Sequence, residues 1–477
     1  MRRHIALSFI QKHLQLLVSI ASVMILSRLI SPEETGVYSI GVAIAALTHA
    51  VRDFGVGNFL IKEAELTQSK TNTAFTVSMM IAVVLSIVLM AVAVPVANFY
   101  SQPEVAVIIW ITTAGLFISP FSTVNLALML RKQKFRDMFK VSMASAIVNA
   151  VTSIVLAWLG MGAKSLALGA LASAATLVIV SNILCTERNI YRFSLSCWHQ
   201  ISRFGMHMTI FGITEQLGGR AGELIVGKLA GFAAVGLLSR SSTLIGMVQD
   251  SIQSSVMPVI LTNMAAEARS GDVKPLLLKS MQYLTVVMWP IFAVLSMCTH
   301  DAIFVLFSQK WLPAAPYMTI LCLGAGFATL NSLTSTIFNV TNRADLLSRF
   351  STINQALRVL LIGLGAFFDG LHGVVIMLVV GEICQCVLAY TFVRRATPVT
   401  LHEVISNCWR SLAVTVLVAA LVWPTTSYLS FAPLWRLLSV ILVAAFAWVS
   451  MVLLVRHPIA VEIKILKTLL ISRTWAK

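Results

Sequence analysis

The sequence predicts an all-α polytopic membrane protein. Of its 477 residues, 58% are hydrophobic and only 11% are charged, whereas about a quarter of the residues in a soluble domain are charged. Apolar runs of about twenty residues, the length that a tilted helix needs to cross a bilayer, recur along the whole chain. Lys and Arg concentrate in alternate loops between these runs, as the positive-inside rule requires of cytoplasmic loops.

The apolar runs predict about fourteen transmembrane helices. They cover residues 9–30, 37–60, 74–99, 105–130, 138–159, 164–185, 204–227, 235–262, 281–307, 314–340, 346–368, 373–393, 408–429 and 434–455. Because the basic loops lie on the side of the N-terminus and the number of spans is even, we expect both termini in the cytoplasm. The strongest basic cluster, residues 131–136, is interpreted as a topology signal that contacts lipid headgroups, with recruitment of an anionic substrate as the alternative.

An internal repeat predicts how the helices are grouped. Gly36-Val37-Tyr38 has a counterpart about 200 residues further on at Gly236-Leu237-Leu238, and Phe99-Tyr100-Ser101-Gln102 resembles Phe307-Ser308-Gln309. A parallel repeat predicts two pseudo-symmetric six-helix lobes with the site between them, although chance similarity of apolar segments is the alternative. The expected organisation is an N-terminal lobe at 1–197, a C-terminal lobe at 198–393, two further helices at 394–455 and an amphipathic cytoplasmic tail at 456–477.

A turn and a glycine motif in the first lobe resemble a known family. Residues 28–38 read Arg-Leu-Ile-Ser-Pro-Glu-Glu-Thr-Gly-Val-Tyr, and residues 53–61 read Asp-Phe-Gly-Val-Gly-Asn-Phe-Leu-Ile. Together they resemble the polysaccharide-biosynthesis branch, of Wzx type, of the multidrug/oligosaccharidyl-lipid/polysaccharide exporter superfamily. The resemblance implies a MATE-like fold. The two helices beyond the repeat favour the branch that handles lipid-linked sugars, because its members commonly carry fourteen spans.

This resemblance also implies a flippase of the bacterial inner membrane. Its expected substrate is a polyprenyl-diphosphate-linked oligosaccharide, moved from the cytoplasmic to the periplasmic leaflet for O-antigen, capsule or exopolysaccharide synthesis by alternating access of the two lobes. Membrane lipids and the polysaccharide polymerase machinery are the other expected partners. Two alternatives stay open: a cation-coupled multidrug exporter of the same superfamily, and a membrane-bound polysaccharide ligase or glycosyltransferase.

Charged residues inside the apolar spans supply the candidate binding residues, because an ionisable side chain at membrane depth is costly and is usually functional. Arginine suits a diphosphate, since its planar guanidinium binds phosphate oxygens through two parallel hydrogen bonds. For any one of these residues, an internal salt bridge that only neutralises charge is the alternative. The expected translocation cavity is lined by Arg52, Asp53, Gln216, Arg220, Glu223, Arg240, Asp250, Gln355, Arg358 and Glu382.

The sequence argues against an enzyme and against a nucleic-acid-binding protein. It contains no Walker motif, nucleophile elbow or His pair with metal-ligand spacing, so we expect neither a cofactor nor a metal. The net charge of +16 follows from the asymmetry of the loops rather than from a basic face for nucleic acid.

Overall fold

The computed structural model describes residues 2–53, 55–63, 65–185, 191–428 and 431–461. Within these ranges the chain is helical, without strands, which confirms the all-α fold class. The helices are α1 (Arg2–Leu29), α2 (Pro32–Asp53), α3 (Val56–Lys62), α4 (Gln68–Tyr100), α5 (Pro103–Ile118), α6 (Pro120–Arg131), α7 (Phe135–Trp158), α8 (Ala163–Leu184), α9 (Trp198–Leu229), α10 (Phe232–Ser270), α11 (Lys274–Met297), α12 (Thr299–Phe307), α13 (Ala315–Asn331), α14 (Thr334–Val340), α15 (Ala344–Ala396), α16 (Leu401–Tyr428) and α17 (Pro433–Leu454).

Most predicted spans follow a single helix, whereas 37–60, 105–130, 281–307 and 314–340 each cross a break between two helices. The number of spans stays a prediction. Among the described residues, nine helices are long and apolar enough to cross a membrane, or ten if the bent pair α5 and α6 counts as one. One of them, α15, contains two predicted spans, because Asp369 and Gly370 have non-helical backbone angles. Large apolar side chains such as Phe446, which is 77% exposed, cover the outside of the helices, as expected of a surface that faces lipid.

The predicted span 37–60 is wrong in its bounds, and local chemistry explains both ends. Ser31 and Glu34 form a capping box: the Glu34 carboxylate accepts from the Ser31 amide at 2.7 Å, and the Ser31 hydroxyl accepts from the Glu34 amide at 3.2 Å. With Pro32 at the first helical position, this box starts α2 five residues earlier than predicted. The helix ends at Asp53, because Gly55 adopts a left-handed φ of 62° before α3 begins.

Two compact units make up the chain. Unit 1 comprises residues 1–240, 306–310 and 362–374, and unit 2 comprises residues 241–305, 311–361 and 375–477. In unit 1, α7 packs on α8 and α1, α4 packs on α5, and α2 packs on α9. In unit 2, α11 packs against α13 and α16, and α16 against α17. The predicted lobes at 1–197 and 198–393 remain a prediction, because compact units and repeat boundaries are different properties.

The internal repeat is visible in the backbone at three turns. Ser101 and Ser308, in the second sequence echo, both have positive φ, at 55° and 87°. Gly162 before α8 has φ 54° and ψ −131°, and Gly370 inside α15 has φ 54° and ψ −132°. Positive φ is uncommon for serine, so its recurrence at corresponding places favours a repeated fold over chance similarity.

The third repeated turn follows α6 in unit 1 and α14 in unit 2. Residues 131–134 and 340–343 share their hydrogen-bond pattern and nearly all their backbone angles. The last residues of the two turns donate to carbonyl oxygens five residues back, at 2.9 Å and 2.8 Å. The matched positions are Lys132 (φ −82°, ψ 5°) with Thr341 (φ −85°, ψ 5°), Gln133 (φ 53°) with Asn342 (φ 55°), and Lys134 (ψ 56°) with Arg343 (ψ 57°).

The first residue of the basic cluster 131–136 has a structural role in unit 1. The Nη1 of Arg131 donates to the backbone oxygens of Leu60, Ile61 and Glu63 at 2.9, 3.3 and 2.5 Å. These carbonyl groups lie at the end of α3, where no N–H group of the helix donates to them and a cation is favoured. Arg131 therefore closes the end of α3, and the interpretation of the cluster as topology signal and lipid contact stays a prediction for its other members.

The predicted amphipathic tail begins within the described residues and continues outside them, at 462–477. Its first part is held by His457, which is buried, and by Ile459 and Ala460, which pack on the core cluster of α11, α16 and α17. The start of the tail is therefore part of unit 2.

Candidate functional site

Charged side chains inside the apolar helices form one cluster in each unit. The first, in unit 1, consists of Tyr38, Arg220, Glu223 and Arg240. The second, in unit 2, consists of Asn331, Arg358, Glu382 and Cys386. Each cluster brings together residues from different helices or from distant turns of one helix.

In unit 1, Arg220 and Glu223 on α9 form an ion pair. The Nη1 of Arg220 lies 3.3 Å from Oε1 and 3.2 Å from Oε2 of Glu223. The side chain of Arg220 is 38% exposed and that of Glu223 is 17% exposed, so the guanidinium is accessible while the carboxylate is largely covered. Arg220 and Glu223 thus share one face of α9, as predicted, and the charge of Arg220 is neutralised while its side chain stays partly accessible to solvent.

Tyr38 and Arg240 complete this cluster. Tyr38 on α2 lies close enough to interact electrostatically with both Arg220 and Arg240. The guanidinium carbon of Arg240 lies 5.7 Å from the ring centre of Phe307, within the range of a cation–π contact. Arg240 is only 8% exposed. Within this cluster the two arginines carry one positive charge more than Glu223 neutralises.

In unit 2, the two halves of α15 bring Arg358 and Glu382 together. The Nη1 of Arg358 lies 3.9 Å from Oε1 of Glu382, which is an ion pair beyond hydrogen-bond distance. The Nε of Arg358 is buried and has no hydrogen-bond partner among the described residues. Gly324 on α13 lies beside the Glu382 side chain, since a Cβ there would lie 3.8 Å from its Cγ.

Polar atoms of α13 border this second cluster. The Sγ of Cys386 lies 3.5 Å from the backbone oxygen of Phe327, and Asn331 interacts with the same thiol. The Nδ2 of Asn331 is buried without a hydrogen-bond partner in the described part of the chain. Arg358 and Asn331 therefore offer buried donors that a bound anion would satisfy.

The other predicted site residues are placed as follows. Arg52 is half-buried in the last turn of α2, and the side chain of Asp53 lies outside the described residues. Gln216 is half-buried on α9, Gln355 is buried on α15 and Asp250 is exposed on α10. Their participation in a cavity stays a prediction.

A family model described as "Polysaccharide biosynthesis protein" matches residues 25–316, which is more than half of the chain. The chain belongs to this family. The resemblance seen in the two sequence motifs is thereby confirmed, and so is the expectation of a transporter rather than an enzyme, since the relatives of the chain carry transport and biosynthesis names.

Two curated relatives show the range of the similarity. The succinoglycan biosynthesis transport protein ExoT of Rhizobium meliloti (strain 1021) is 25% identical over 311 residues, 65% of this chain and 63% of ExoT. The alignment thus spans slightly less than two thirds of ExoT. The lipopolysaccharide biosynthesis protein WzxC of Escherichia coli (strain K12) is 20% identical over 455 residues, 94% of this chain and 92% of WzxC.

A solved structure shares the fold along nearly the whole chain. The lipid II flippase MurJ, in an inward closed conformation, superposes with a TM-score of 0.78 at 13% identity, over 95% of this chain and 100% of that one. This likeness confirms the predicted class of exporter fold.

The residues of this family member that sequence reasoning missed are Tyr38, Phe307 and two lysines. Lys228 donates to the backbone oxygen of Phe99 at 2.6 Å, and Lys310 to that of Arg28 at 2.8 Å. Both oxygens lie in the last turn of a helix, α4 and α1, where cations stabilise the helix dipole. Tyr38 is the last residue of the motif at 28–38, so that motif could have indicated it as a candidate site residue.

Proposed function

We propose that this protein is a Wzx-type flippase of the bacterial inner membrane that moves a polyprenyl-diphosphate-linked oligosaccharide from the cytoplasmic to the periplasmic leaflet. Membership of the polysaccharide biosynthesis family supports this proposal, as do the names of ExoT and WzxC, which refer to succinoglycan transport and lipopolysaccharide biosynthesis. Both termini lie in the cytoplasm, and the polymerase machinery receives the product.

The observation that carries the proposal is the state of Arg358. Its guanidinium sits on an apolar helix, its nearest described acid is 3.9 Å away, and its buried Nε has no hydrogen-bond partner among the described residues. A phosphate oxygen can bind such a guanidinium without first breaking a hydrogen bond. Because a buried unsatisfied donor is costly, binding an anion there is favourable.

Arg220 and Arg240 supply the same chemistry in unit 1. A diphosphate that crosses the bilayer has to exchange its water for fixed positive groups, since an unpaired charge in a low-dielectric region is very costly. Glu223 and Glu382 keep two of the arginines neutralised when no substrate is bound. The substrate phosphates then take the place of the carboxylates as partners of the guanidinium groups.

The test is the fate of the lipid-linked sugar in a strain that lacks the protein. We expect intact lipid-linked repeat units to accumulate on the cytoplasmic leaflet, protected from a glycan-modifying reagent added outside, and wild-type protein to remove them. Arg358→Gln should fail to do so at normal membrane abundance. Arg349→Gln, which changes an exposed arginine on the same helix, serves as the matched control and should restore export.

Two other results would overturn the proposal. Altered sensitivity to lipophilic cations without accumulation of lipid-linked sugar would identify a multidrug exporter. Accumulation of unextended lipid-linked precursors, in place of complete units, would identify a ligase or glycosyltransferase.

A further inference from the structure

The repeated turn at 131–134 and 340–343 has different surroundings in the two units. In unit 1 it lies beside the C-terminal end of α3, and Leu60 of α3 packs in one core cluster with Leu128 of α6. In unit 2 it lies beside the C-terminal end of α10, and Met264 of α10 packs in one core cluster with Ile337 of α14. The two arrangements correspond, because α3 ends beside the turn that follows α6, and α10 ends beside the turn that follows α14.

The first position of the turn differs between the two units. In unit 1 it is Arg131, whose guanidinium binds three backbone oxygens at the end of α3. In unit 2 it is Val340, which has no polar atom to offer the end of α10. The backbone of the turn is otherwise the same, so the position that matches Arg131 carries no cationic group in unit 2.

A cavity of about 250 Å³ lies at this place in unit 2. It is far larger than the roughly 30 Å³ that one water takes up in the liquid. Three loops of unit 2 meet there, those that follow α10, α14 and α15. Its walls are formed by Ala268, Gly271, Asp272, Val273, Val340, Thr341, Asn342, Ala396, Thr397 and Pro398.

We propose that this cavity binds the guanidinium or ammonium group of a small organic cation, in the place that the Arg131 guanidinium takes beside α3. The negative end of the α10 dipole lies at Ala268 and Gly271, as that of α3 lies at Leu60 to Glu63. Asp272 adds a carboxylate, and the side chains of Asn342 and Thr397 add oxygen acceptors.

The charges around the cavity agree with this choice of ligand. Among the side chains that the structure describes, its wall contains one acidic side chain, Asp272, and no basic one. Two neighbouring cations are paired with acids: Lys274 with Glu403 at 2.7 Å, and Arg343 with Asp345 at 3.2 Å. The carboxylate, the side-chain oxygens and the C-terminal end of α10 all favour a cation. An anion would need a positively charged donor in the wall, and the described wall residues offer none.

The site is separate from the proposed translocation residues. By the predicted topology its three loops face the cytoplasm, whereas Arg358 and Glu382 lie in the interior of α15. Binding there is therefore expected to be independent of the lipid-linked substrate, and it is measurable on purified protein without any sugar.

The experiment measures binding of agmatine, an alkylguanidine, to the full-length protein in detergent. We expect a saturable rise of the unfolding temperature at millimolar agmatine, beyond that given by sodium chloride of equal ionic strength. Asp272→Asn should weaken binding about tenfold, the factor expected from losing one charge-assisted hydrogen bond. Val340→Arg should raise the unfolding temperature without agmatine and abolish the response, because the new guanidinium occupies the site.

Glu65→Gln is the control, since Glu65 is an exposed carboxylate of unit 1 and does not line the cavity; its agmatine response should equal that of the wild type. If Val340→Arg fails to fold, Asp272→Asn and its control still decide, because Asp272 is exposed. A wild-type protein without a saturable response would overturn the proposal. So would a response that survives Asp272→Asn undiminished.

Discussion

Gly36 and Gly236 make the same contact from two crossing helices. A Cβ atom on Gly36 of α2 would lie 1.9 Å from the backbone oxygen of Phe232, the first residue of α10. A Cβ atom on Gly236 of α10 would lie 1.9 Å from the backbone oxygen of Pro32, the first residue of α2. The contact is reciprocal, and it lies entirely within unit 1, at the end of the unit that carries Lys228 and Lys310.

The close crossing of α2 and α10 predicts the effect of an alanine at either glycine. Gly36→Ala and Gly236→Ala should each force the two helix starts apart and abolish polysaccharide export, at a cost of about 1–3 kcal/mol to the crossing. The matched control is Gly246→Ala on α10, where a Cβ would meet no atom within 4 Å. Export is measured at equal membrane abundance. Wild-type export by both glycine variants would show that the crossing can open without loss of function.

The sequence predicted this crossing only in part. The echo of Gly36-Val37-Tyr38 in Gly236-Leu237-Leu238 indicated that the two segments occupy equivalent places in a repeat. It did not indicate that they touch each other, because a repeat relates positions by symmetry and says nothing about their distance. The echo at Ser101 and Ser308 likewise became informative once both serines showed positive φ.

The candidate site shows the same limit. Helical periodicity placed Arg220 and Glu223 on one face, and they form an ion pair there. Periodicity could not bring Tyr38 to Arg220 and Arg240, because that proximity depends on packing between helices far apart in the chain. The break of α15 at Asp369 and Gly370 brings Glu382 back to Arg358, and no local sequence rule assigns that partner.

A buried ion pair between Asp301 of α12 and Arg436 of α17 predicts a large loss of stability when one partner is removed. The Nε of Arg436 donates to Oδ2 of Asp301 at 2.5 Å, its Nη2 donates to Oδ1, and the Asp301 side chain is 7% exposed. Arg436→Gln should lower the free energy of unfolding by about 3–5 kcal/mol, because it leaves the Asp301 carboxylate buried and unpaired. Thermal or denaturant unfolding in detergent measures the effect.

The double replacement of Asp301 by Asn and Arg436 by Gln should recover most of this loss, since no unpaired charge remains. Asp345→Asn breaks the exposed pair with Arg343 and should cost much less stability, because solvent screens the two charges. Equal losses in the free energy of unfolding for the two pairs would contradict the expectation that burial makes the Asp301–Arg436 pair the more important one.

The buried His457 predicts a loss of stability in mild acid. Its Nδ1 accepts the Ile459 amide at 3.3 Å, so Nε2 carries the proton and faces the Ser411 hydroxyl at 3.3 Å. Burial, helped by the positive charge of Arg410, lowers the pKa of His457 to about 4. Since a histidine in the unfolded chain takes up a proton near pH 6.5, the unfolded state binds more protons between about pH 6.5 and 4.

Stability should therefore fall as the pH is lowered through that window, by at most about 1.4 kcal/mol per pH unit from this residue. His457→Gln should remove this dependence while keeping a donor for Ser411. His402→Gln, at an exposed histidine, is the control and should leave the pH profile unchanged. The measurement is the unfolding temperature in detergent from pH 7.5 to 4.5, and an unchanged slope in His457→Gln would refute the assignment.

The role of Arg52 is decided by a double replacement. Arg52 lies half-buried in the last turn of α2, directly before Asp53. If Arg52 only neutralised Asp53, replacing Arg52 by Gln and Asp53 by Asn together would leave no unpaired charge, and export would return. We expect the double variant to stay inactive, because we propose that Arg52 binds the diphosphate. Arg52→Lys should lower export about tenfold, since an ammonium cannot reproduce the two parallel hydrogen bonds of a guanidinium.

Arg349→Gln again controls for loss of a positive charge as such. Normal polysaccharide export by the double variant, measured at equal membrane abundance, would refute the binding role.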